Sequence, residues 1–358
     1  KGDAGQAKYL VVTSQVADGY GDHTLANGTV AVLQDSLGNV FKYGAASGTD
    51  STTQIQAAIN ANDLVNLMNI DATLSDELDI SNALAANYMF DGFQIIFTGV
   101  LTGVSSSVYI GLNNTTAANV TTQNCRFDGG NVGVHYRQVA GGLIQNNQIA
   151  NMVNTDNGVT GYGINTDGSD GITTFKNAIL QCDRHAIYIG ASDPTGFPPK
   201  NQRHIANDIR WSGAASASSH QAAIKIFDAF NIVCIGNTGV GLKKAYWFTS
   251  DIDGLYSMGN SWSNMTVRGA DDENIPVGKT LKNIQINDKF DNCVTGLQST
   301  SSINGLWEDL IIDGSQFLNM TTGLQPTYIS KWSYNRCKFE NLTNGIFTAP
   351  SVTAPPMG

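Results

Sequence analysis

The sequence predicts an all-β protein, a right-handed parallel β-helix (solenoid) with a short N-terminal capping helix. The chain of 358 residues contains 38 Gly and only 14% charged residues, so it is rich in turn formers and poor in helix formers. Short strand-like phrases recur every 22 to 31 residues, a spacing typical of solenoids. Helical periodicity is missing after about residue 85, which favours strands for the remainder of the chain.

Charge and cysteine content exclude several classes of function. The net charge is −10, and phosphate binding needs a basic surface, so we expect no nucleic-acid partner. The apolar runs are too short for a transmembrane helix, and we expect no membrane insertion. No Cys-x-x-Cys pair occurs, so we predict no metal and no cofactor. Five cysteines lie in apolar strand-like runs, and we expect buried reduced thiols formed in a reducing cytoplasm: Cys125, Cys182, Cys234, Cys293 and Cys337.

The sequence predicts three regions along the chain. Residues 1–45 indicate a β-rich entry segment, 46–350 the parallel β-helix, and 351–358 a tail that leads to a C-terminal region we expect to be missing. The stretch "DSTTQIQAAINANDLVNLMNI" (50–70) places Ile55, Ala58 and Ile59 at helical spacing, with Ser51 or Thr52 as candidate N-cap. We therefore predict a capping helix near 51–67 that covers the open end of the solenoid core.

The repeat itself is a turn-forming residue, most often Asn, followed closely by an apolar residue. Each coil should contribute two or three short strands that bury one inner row of apolar side chains. A β-sandwich with accidental self-similarity is the alternative, and it leaves the regular register unexplained. The apolar residues that mark the repeat are Phe127, Ile149, Ile179, Ile209, Val240, Trp262, Phe290, Phe317 and Phe339.

"DSTTQIQAAINA" (50–61), followed by the Gly- and Asn-rich coils, resembles the start of pectate-lyase-like parallel β-helix proteins of the bacteriophage tail spike and polysaccharide depolymerase type. The resemblance covers roughly residues 41–350, although "YGAASGTD" stands where Gly-Asp-Gly often precedes the helix. It implies a homotrimer in a virion tail that recognises a bacterial surface polysaccharide as receptor. It also implies assembly in the bacterial cytoplasm and action outside the cell.

Period-2 alternation predicts a polar and aromatic column on the outside of one sheet. If Val134, Ile164, Ile187 and Ile224 point inward, the residues that follow them point outward. Such a ladder suits an extended polysaccharide, because aromatic faces pack on sugar rings and polar groups bind hydroxyls. The alternative is an ordinary solvated sheet face. The candidate substrate-binding residues are His135, Arg137, Asn165, Asp167, Tyr188, Lys225 and Trp247, with the choice between Tyr246 and Trp247 left open.

Two cleavage chemistries and two non-catalytic roles remain open from sequence. Hydrolysis needs two nearby carboxylates, for which Asp228, Asp251 and Asp253 are the candidates. Elimination needs a proton-transfer group beside cations. Its candidates are His135, Tyr188 and Lys225. The acidic run at 271–273 indicates a solvated loop. We favour a depolymerase over a glycan-binding adhesin without catalysis, and over a structural spike protein.

Overall fold

The computed structural model describes residues 8–13, 16–17, 22–34, 39–62, 64–67, 70–76, 78–79, 89–91, 95–96, 112–114, 118–154, 161–190, 197–211, 221–272, 275, 278–299, 306–326 and 329–346. The helices are a 3-10 helix, Val40–Tyr43, and α1, Thr52–Ala61. The strands are β1 (Lys8–Val12), β2 (His23–Thr24), β3 (Val30–Gln34), β4 (Leu64–Asn66), β5 (Leu78–Asp79), β6 (Met89–Asp91), β7 (Ile95–Ile96), β8 (Leu112–Asn114), β9 (Ala118–Gln123), β10 (Arg126–Asp128), β11 (Val132–Tyr136), β12 (Ala140–Gln145), β13 (Gln148–Ala150), β14 (Tyr162–Asn165), β15 (Asp170–Phe175), β16 (Ala178–Leu180), β17 (His185–Ile189), β18 (Arg203–Ile205), β19 (Asp208–Arg210), β20 (Ala222–Ile235), β21 (Thr238–Val240), β22 (Lys244–Ser263), β23 (Arg268–Asp272), β24 (Thr280–Asp291), β25 (Thr295–Ser299), β26 (Leu306–Asp313), β27 (Gln316–Gln325), β28 (Trp332–Asn335) and β29 (Lys338–Ile346).

The N-terminal strands form a small antiparallel sheet in the order β1-β3-β2, ahead of the helix. Helix α1 buries Ile55, Ala58 and Ile59 against the first strands of the solenoid, as its apolar spacing predicts. It ends at Ala61, earlier than expected, because the chain turns extended at Asn62. The capping bond also differs from the expectation: Asp50 Oδ1 accepts the Thr52 N–H at 3.0 Å, and the Ser51 side chain makes no capping bond.

The remaining described strands form a parallel β-helix with three faces, which confirms the predicted fold. Sheet A contains β5, β8, β11, β14, β17, β23, β25 and the paired parts of β20, β22, β27 and β29. After each strand of sheet A the chain enters sheet B, which contains β4, β6, β9, β12, β15, β18, β26, β28 and the paired parts of β20, β22 and β24. Sheet C completes the coil and contains β7, β10, β13, β16, β19, β21 and the paired parts of β22, β24, β27 and β29. In sheet A, Val134 pairs with Ile164, Ile164 with Ile187, and Ile187 with Ile224, which forms one inner row.

The marks of the sequence repeat form the inner row of sheet C. At one coil the prediction is wrong by one residue: Gly239, not Val240, lies between Ile209 and Trp262 in the register. Position 239 requires a glycine, because a Cβ there would lie only 2.5 Å from the Trp262 ring. Val240 faces outward and is partly exposed. The C-terminal end of the row is a ring stack in which Phe317 lies 5.5 Å from Phe290 and 5.2 Å from Phe339.

A ladder of buried amides explains why asparagine recurs at the bends between sheets B and C. The first ladder residue, Asn147, accepts from the Cys125 backbone N–H at 3.0 Å. Each later Asn side chain accepts from the backbone and side-chain N–H groups of the Asn one coil earlier, at 2.7–3.1 Å. Each Asn side chain also donates to a backbone carbonyl of the coil before. The residue directly before each ladder residue is left-handed in six of the seven bends, as at Lys176 (φ 54°) and Gly236 (φ 63°). The ladder comprises Asn147, Asn177, Asn207, Asn237, Asn260 and, at its end, Asp288 and Ser315.

All five cysteines are free thiols, and four are buried as expected, whereas Cys337 is partly exposed. Burial raises the pKa of Cys293 to about 11, so this thiol is protonated at neutral pH. Within the described residues, no helix is long and apolar enough to cross a membrane.

Candidate functional site

The outer face of sheet A carries two rows of polar and aromatic side chains. The first row follows the predicted column: His135 pairs with Asn165, Asn165 with Tyr188, Tyr188 with Lys225 and Lys225 with Trp247. Asp271 extends this row by one coil. Tyr246 lies in the buried core on the inner side, so Trp247 is the residue that faces outward.

A second outer row lies three residues earlier in each strand, because two consecutive residues of the strand face inward. A Cβ on Gly163 would lie 2.6 Å from Ile179, on the opposite inner surface, and the following Ile164 is also in the core. Tyr162 and Asn165 on either side of this pair therefore both face outward. The second row comprises Tyr162, His185, Ala222, Lys244 and Arg268.

The two rows meet in a cluster of rings and cations. The Tyr162 ring stacks on His185 at 5.3 Å and on Tyr188 at 5.0 Å between centroids. The Lys225 ammonium lies 3.9 Å from the Trp247 ring centroid, and that of Lys244 lies 4.5 Å from it. These distances are within the range of cation–π attraction, so the rings and cations fix one another's positions.

Most of this cluster is buried although it lies on the outside of the solenoid, which alternation alone does not predict. His135 is fully buried, Trp247 is 3% exposed and Lys225 is 9% exposed. The outer face of sheet C differs, since its ion pair between Arg210 and Asp208 leaves both side chains open to solvent. Buried ionisable groups need compensating partners, and their concentration on one outer face marks a candidate functional site.

A histidine–carboxylate pair lies at the N-terminal end of the cluster. The His135 Nε2 atom is 3.1 Å from Asp167 Oδ2, and Asn165 Nδ2 donates to the same oxygen at 3.3 Å. Both members of the pair are buried, and the pairing fixes the orientation of the imidazole ring. Arg137, two residues after His135, is partly buried at the edge of the same face.

Tyr188 is the partly exposed phenol between this pair and the lysines. Burial raises its pKa well above the ordinary value, and the negative charge of Asp167 raises it further, with a smaller contribution from Asp228. The nearby Arg184 guanidinium lowers the pKa but does not overcome burial. Tyr188 is therefore a neutral phenol at pH 7 that can donate a proton or a hydrogen bond.

A buried ion cluster lies at the C-terminal end of the face. Asp271 contacts the Lys244 ammonium at 2.8 Å and the Arg268 guanidinium at 2.6 Å. This corrects the expectation of a solvated acidic loop, because Asp271 and Asp272 are fully buried within β23. Asp272 instead accepts from the Trp307 indole N–H at 2.5 Å inside the core.

The predicted hydrolytic carboxylates lie at the bends between sheets A and B, beside the cluster. Asp228 Oδ1 and Asp251 Oδ2 lie 3.7 and 2.9 Å from the Lys279 ammonium. These two oxygens are therefore at most roughly 7 Å apart, within the range of glycosidase carboxyl pairs. Asp228 also accepts from Ser250 Oγ and from the Asp251 N–H. Asp253 is apart from this pair and accepts from Asn283 at 2.7 Å.

The prediction from sequence did not include three residues that belong to this region: Tyr162, Lys244 and Lys279. The signal for Tyr162 and Lys244 was present, because each stands directly before a Gly or Ala that precedes the inner apolar residue. Lys279 carried no such signal, since it lies after a long connection from sheet A. Among the described residues, no group of three or more His, Cys, Asp or Glu side chains has metal-binding geometry.

Several solved structures share this architecture at low sequence identity. PfbA, a surface adhesin of Streptococcus pneumoniae, matches with a TM-score of 0.59 and 11% identity over 88% of this chain and 93% of its own. The A-module of the mannuronan C-5 epimerase AlgE4 of Azotobacter vinelandii matches with a TM-score of 0.53 and 13% identity over 89% and 100%.

Tailspike protein 2 of a bacteriophage of Escherichia coli O157:H7 matches with a TM-score of 0.51 and 12% identity, over 86% of this chain and 46% of the tailspike. No protein-family model matches the sequence, and no curated protein matches it. The described strands and these shared structures establish that the chain folds as a parallel β-helix.

Proposed function

We propose that this chain binds a bacterial surface polysaccharide along the outer face of sheet A and depolymerises it. The observation that carries the proposal is the cluster of buried ionisable and aromatic side chains on that face, centred on Tyr188, Lys225 and Trp247. Successive coils are about 4.8 Å apart, so the two rows offer regularly spaced groups to an extended chain. Cations that bind carboxylates suit an acidic glycan, and the buried Trp247 ring holds these cations in place.

Among the two cleavage chemistries, the geometry favours β-elimination at Tyr188. Its neutral phenol is partly exposed and is suited to protonate the glycosidic oxygen as the carbon–oxygen bond breaks. Lys225, on the next coil, is the candidate to neutralise the uronate carboxylate or to take the proton beside it. His135 is fully buried against Asp167 and acts as a positioning residue. Arg137, Asn165 and Asp167 complete the proposed binding surface.

Hydrolysis is the second cleavage chemistry, and the shared Lys279 supports it because it holds Asp228 and Asp251 close together. Both carboxylates already accept internal donors, among them the Thr280 N–H for Asp251 at 2.7 Å. A hydrolytic role would require one of them to exchange these partners for the glycosidic oxygen. Asp253 would then be a neighbour that binds Asn283.

A glycan-binding adhesin without catalysis is the alternative function. It is favoured by the internal pairing of the candidate groups, which is what a rigid binding surface needs. PfbA, whose solved structure shares the fold, is a surface adhesin. A purely structural spike role accounts less well for the cluster, because it gives no reason to bury ionisable groups on an outer face.

Purified bacterial surface polysaccharides incubated with the protein test the proposal. Ultraviolet absorbance of an unsaturated product together with shorter chains indicates elimination, and we expect Tyr188→Phe to abolish it. New reducing ends without absorbance would move the site to Asp228 and Asp251, with Asp228→Asn as the decisive variant. Asp313→Asn, on exposed sheet B, is the matched control. Retention of uncut glycan would establish the adhesin, and absence of both binding and cleavage would refute the proposal.

A bacteriophage tail location, receptor binding and homotrimeric assembly belong to the same proposal. The fold shared with the phage tailspike supports them, and the five free thiols fit assembly in the bacterial cytoplasm. Light scattering coupled to size-exclusion chromatography tests the assembly, with three times the mass of the 38.1 kDa chain as the expected result. A monomer at all concentrations would contradict the trimer.

A further inference from the structure

A groove of about 550 Å³ lies outside the proposed site, at the bends that join sheet C to sheet A in the C-terminal coils. This volume falls within the roughly 300–1,000 Å³ of small-ligand sites. None of its lining residues belongs to the two outer rows of sheet A. The groove therefore needs its own explanation.

One side of the groove is a row of asparagine side chains, one from each coil. The row consists of Asn264, Asn292, Asn319 and Asn341, all with a left-handed backbone at φ 52–55° and all exposed. Asn292 Nδ2 donates to Asn264 Oδ1 at 2.7 Å, and Asn341 Nδ2 donates to Asn319 Oδ1 at 2.9 Å. These bonds orient the amides and use only part of their donors and acceptors.

A second row lies two residues further along each bend and consists of Thr266, Val294, Thr321 and Thr343, all exposed. At the same position the described earlier coils carry two uncharged residues, Asn131 and Val153, and two charged residues, Asp183 and Lys243. The left-handed backbone accounts for the asparagines, but it does not select uncharged residues two positions later. Among the described residues, a run of four successive coils without a charge at this position occurs at the groove.

We propose that this groove binds a neutral, hydroxyl-rich oligosaccharide that lies along the solenoid axis. Amide and threonine hydroxyl groups both donate and accept, which matches sugar hydroxyls in either role. The lining contains no acidic or basic residue, so a charged ligand would gain no ion pair there. The exposed Val294 side chain, between two threonine coils, gives an apolar contact for the carbon face of a ring.

The inference goes beyond the proposed function and does not depend on it. The proposed site is rich in ionisable groups and suits an acidic glycan, whereas the groove is uncharged. A protein with both sites would hold neutral stretches of a glycan apart from the stretch on sheet A. Variants of Tyr188 or Lys225 should consequently leave binding in the groove unchanged.

Saturation-transfer NMR with the full chain tests the inference, using neutral oligosaccharides of glucose, galactose, mannose and N-acetylglucosamine, and an oligouronate as charged comparison. We expect at least one neutral oligosaccharide to bind. Thr321→Lys, which places a long side chain in the groove, should weaken its affinity at least tenfold. Thr321→Val keeps the shape, removes one hydroxyl and should weaken it about three- to tenfold, as expected for one hydrogen bond. Thr238→Lys, an exposed threonine on sheet C, is the matched control.

Three results would overturn the inference. The first is that none of the neutral oligosaccharides binds. The second is that binding survives Thr321→Lys in a variant that unfolds at the wild-type temperature. The third is that Tyr188→Phe or Thr238→Lys removes the signal as strongly as the groove variants, which would place the ligand elsewhere.

Discussion

The indole ring of Trp262 occupies the space that a side chain at position 239 would need. A Cβ on Gly239 would lie 2.5 and 2.6 Å from two ring carbons of Trp262, one coil further along. The ring itself is fully buried and packs edge-on against Tyr246 at 5.1 Å. The large residue on this coil therefore requires a small residue on the coil before it, whereas the phenylalanines further along the row stack on one another.

Gly239→Ala should destabilise the protein by about 1–3 kcal/mol, because the added methyl group overpacks a rigid ring. The measurement is the free energy of unfolding in denaturant. Gly345→Ala is the matched control, since no atom lies within 4 Å of the added Cβ and its backbone is compatible with alanine. Equal effects of the two substitutions would show that the Trp262 contact does not determine the cost.

Asn207→Ala should interrupt the buried amide ladder at its centre. It removes the acceptor of the Asn177 backbone and side-chain N–H groups and one donor to Asn237. Each buried group left without a partner costs about 1–3 kcal/mol, so the loss should be among the largest for a single polar residue. Asn335→Ala, at an exposed position, should change the free energy of unfolding by less than about 0.5 kcal/mol.

Asp288 should make stability fall as pH rises. Burial raises its pKa above the ordinary value of 3.8, although Ser257, Asn260 and Tyr246 donate to the carboxylate. The folded state therefore binds the proton more tightly than the unfolded state. The contribution is fully present below pH 3.8 and is lost as pH rises through the folded pKa.

Asp288→Asn removes this titration, so the variant should gain stability relative to the wild type as pH increases from about 4 to 7. Thermal unfolding of both proteins across this range measures the difference, in which all other titrations cancel. A difference that stays constant, or that moves in favour of the wild type, contradicts the assignment.

Lys244→Met should destabilise the outer face of sheet A by leaving Asp271 with a single cation, Arg268. Removing one partner of a buried pair costs about 3–5 kcal/mol, and the remaining guanidinium should keep the loss near the lower end. Adding Asp271→Asn should restore part of the stability. Lys289→Met, in an exposed pair with Asp291, is the control and should have little effect.

Tyr188→Phe should separate catalysis from binding. If Tyr188 transfers a proton, the rate of cleavage should fall by about 10²–10⁴-fold. The ring remains stacked on Tyr162 at 5.0 Å, so glycan affinity should change by no more than a few-fold. Tyr162→Phe is the control, because that buried hydroxyl accepts from Arg184 and does not reach the surface. Equal losses in both variants would indicate a structural role for the stack.

The fold was predictable because each coil repeats one local pattern. A left-handed residue, a ladder residue and an inward apolar residue follow one another, as at Lys176, Asn177 and Ile179, and this pattern needs no long-range information. The error at Val240 arose at the coil where glycine replaces the apolar residue, since the reason lies in Trp262 on another coil. Packing between coils is not visible in the local pattern.

The sequence predicts which side chains of the candidate site face outward, but it does not predict that most of them are buried. Alternation assigns His135, Asn165, Tyr188 and Lys225 to one outer row, and the register agrees. It carries no information on what covers a side chain. Partners such as Lys279, which lies on a later coil than Asp228, depend on how connections of different length return to the solenoid.

The amide ladder has a direction. Every hydrogen bond between two ladder side chains is donated toward the C-terminal coils, from Asn147 through Asn260, and the last N–H groups meet the Asp288 carboxylate. Aligned hydrogen bonds polarise one another, so the chain of side chains carries an electric dipole whose positive end faces that carboxylate. The solenoid thereby contains a polar axis within its apolar interior, and the donors at its C-terminal end offset only part of the burial that disfavours a charge on Asp288.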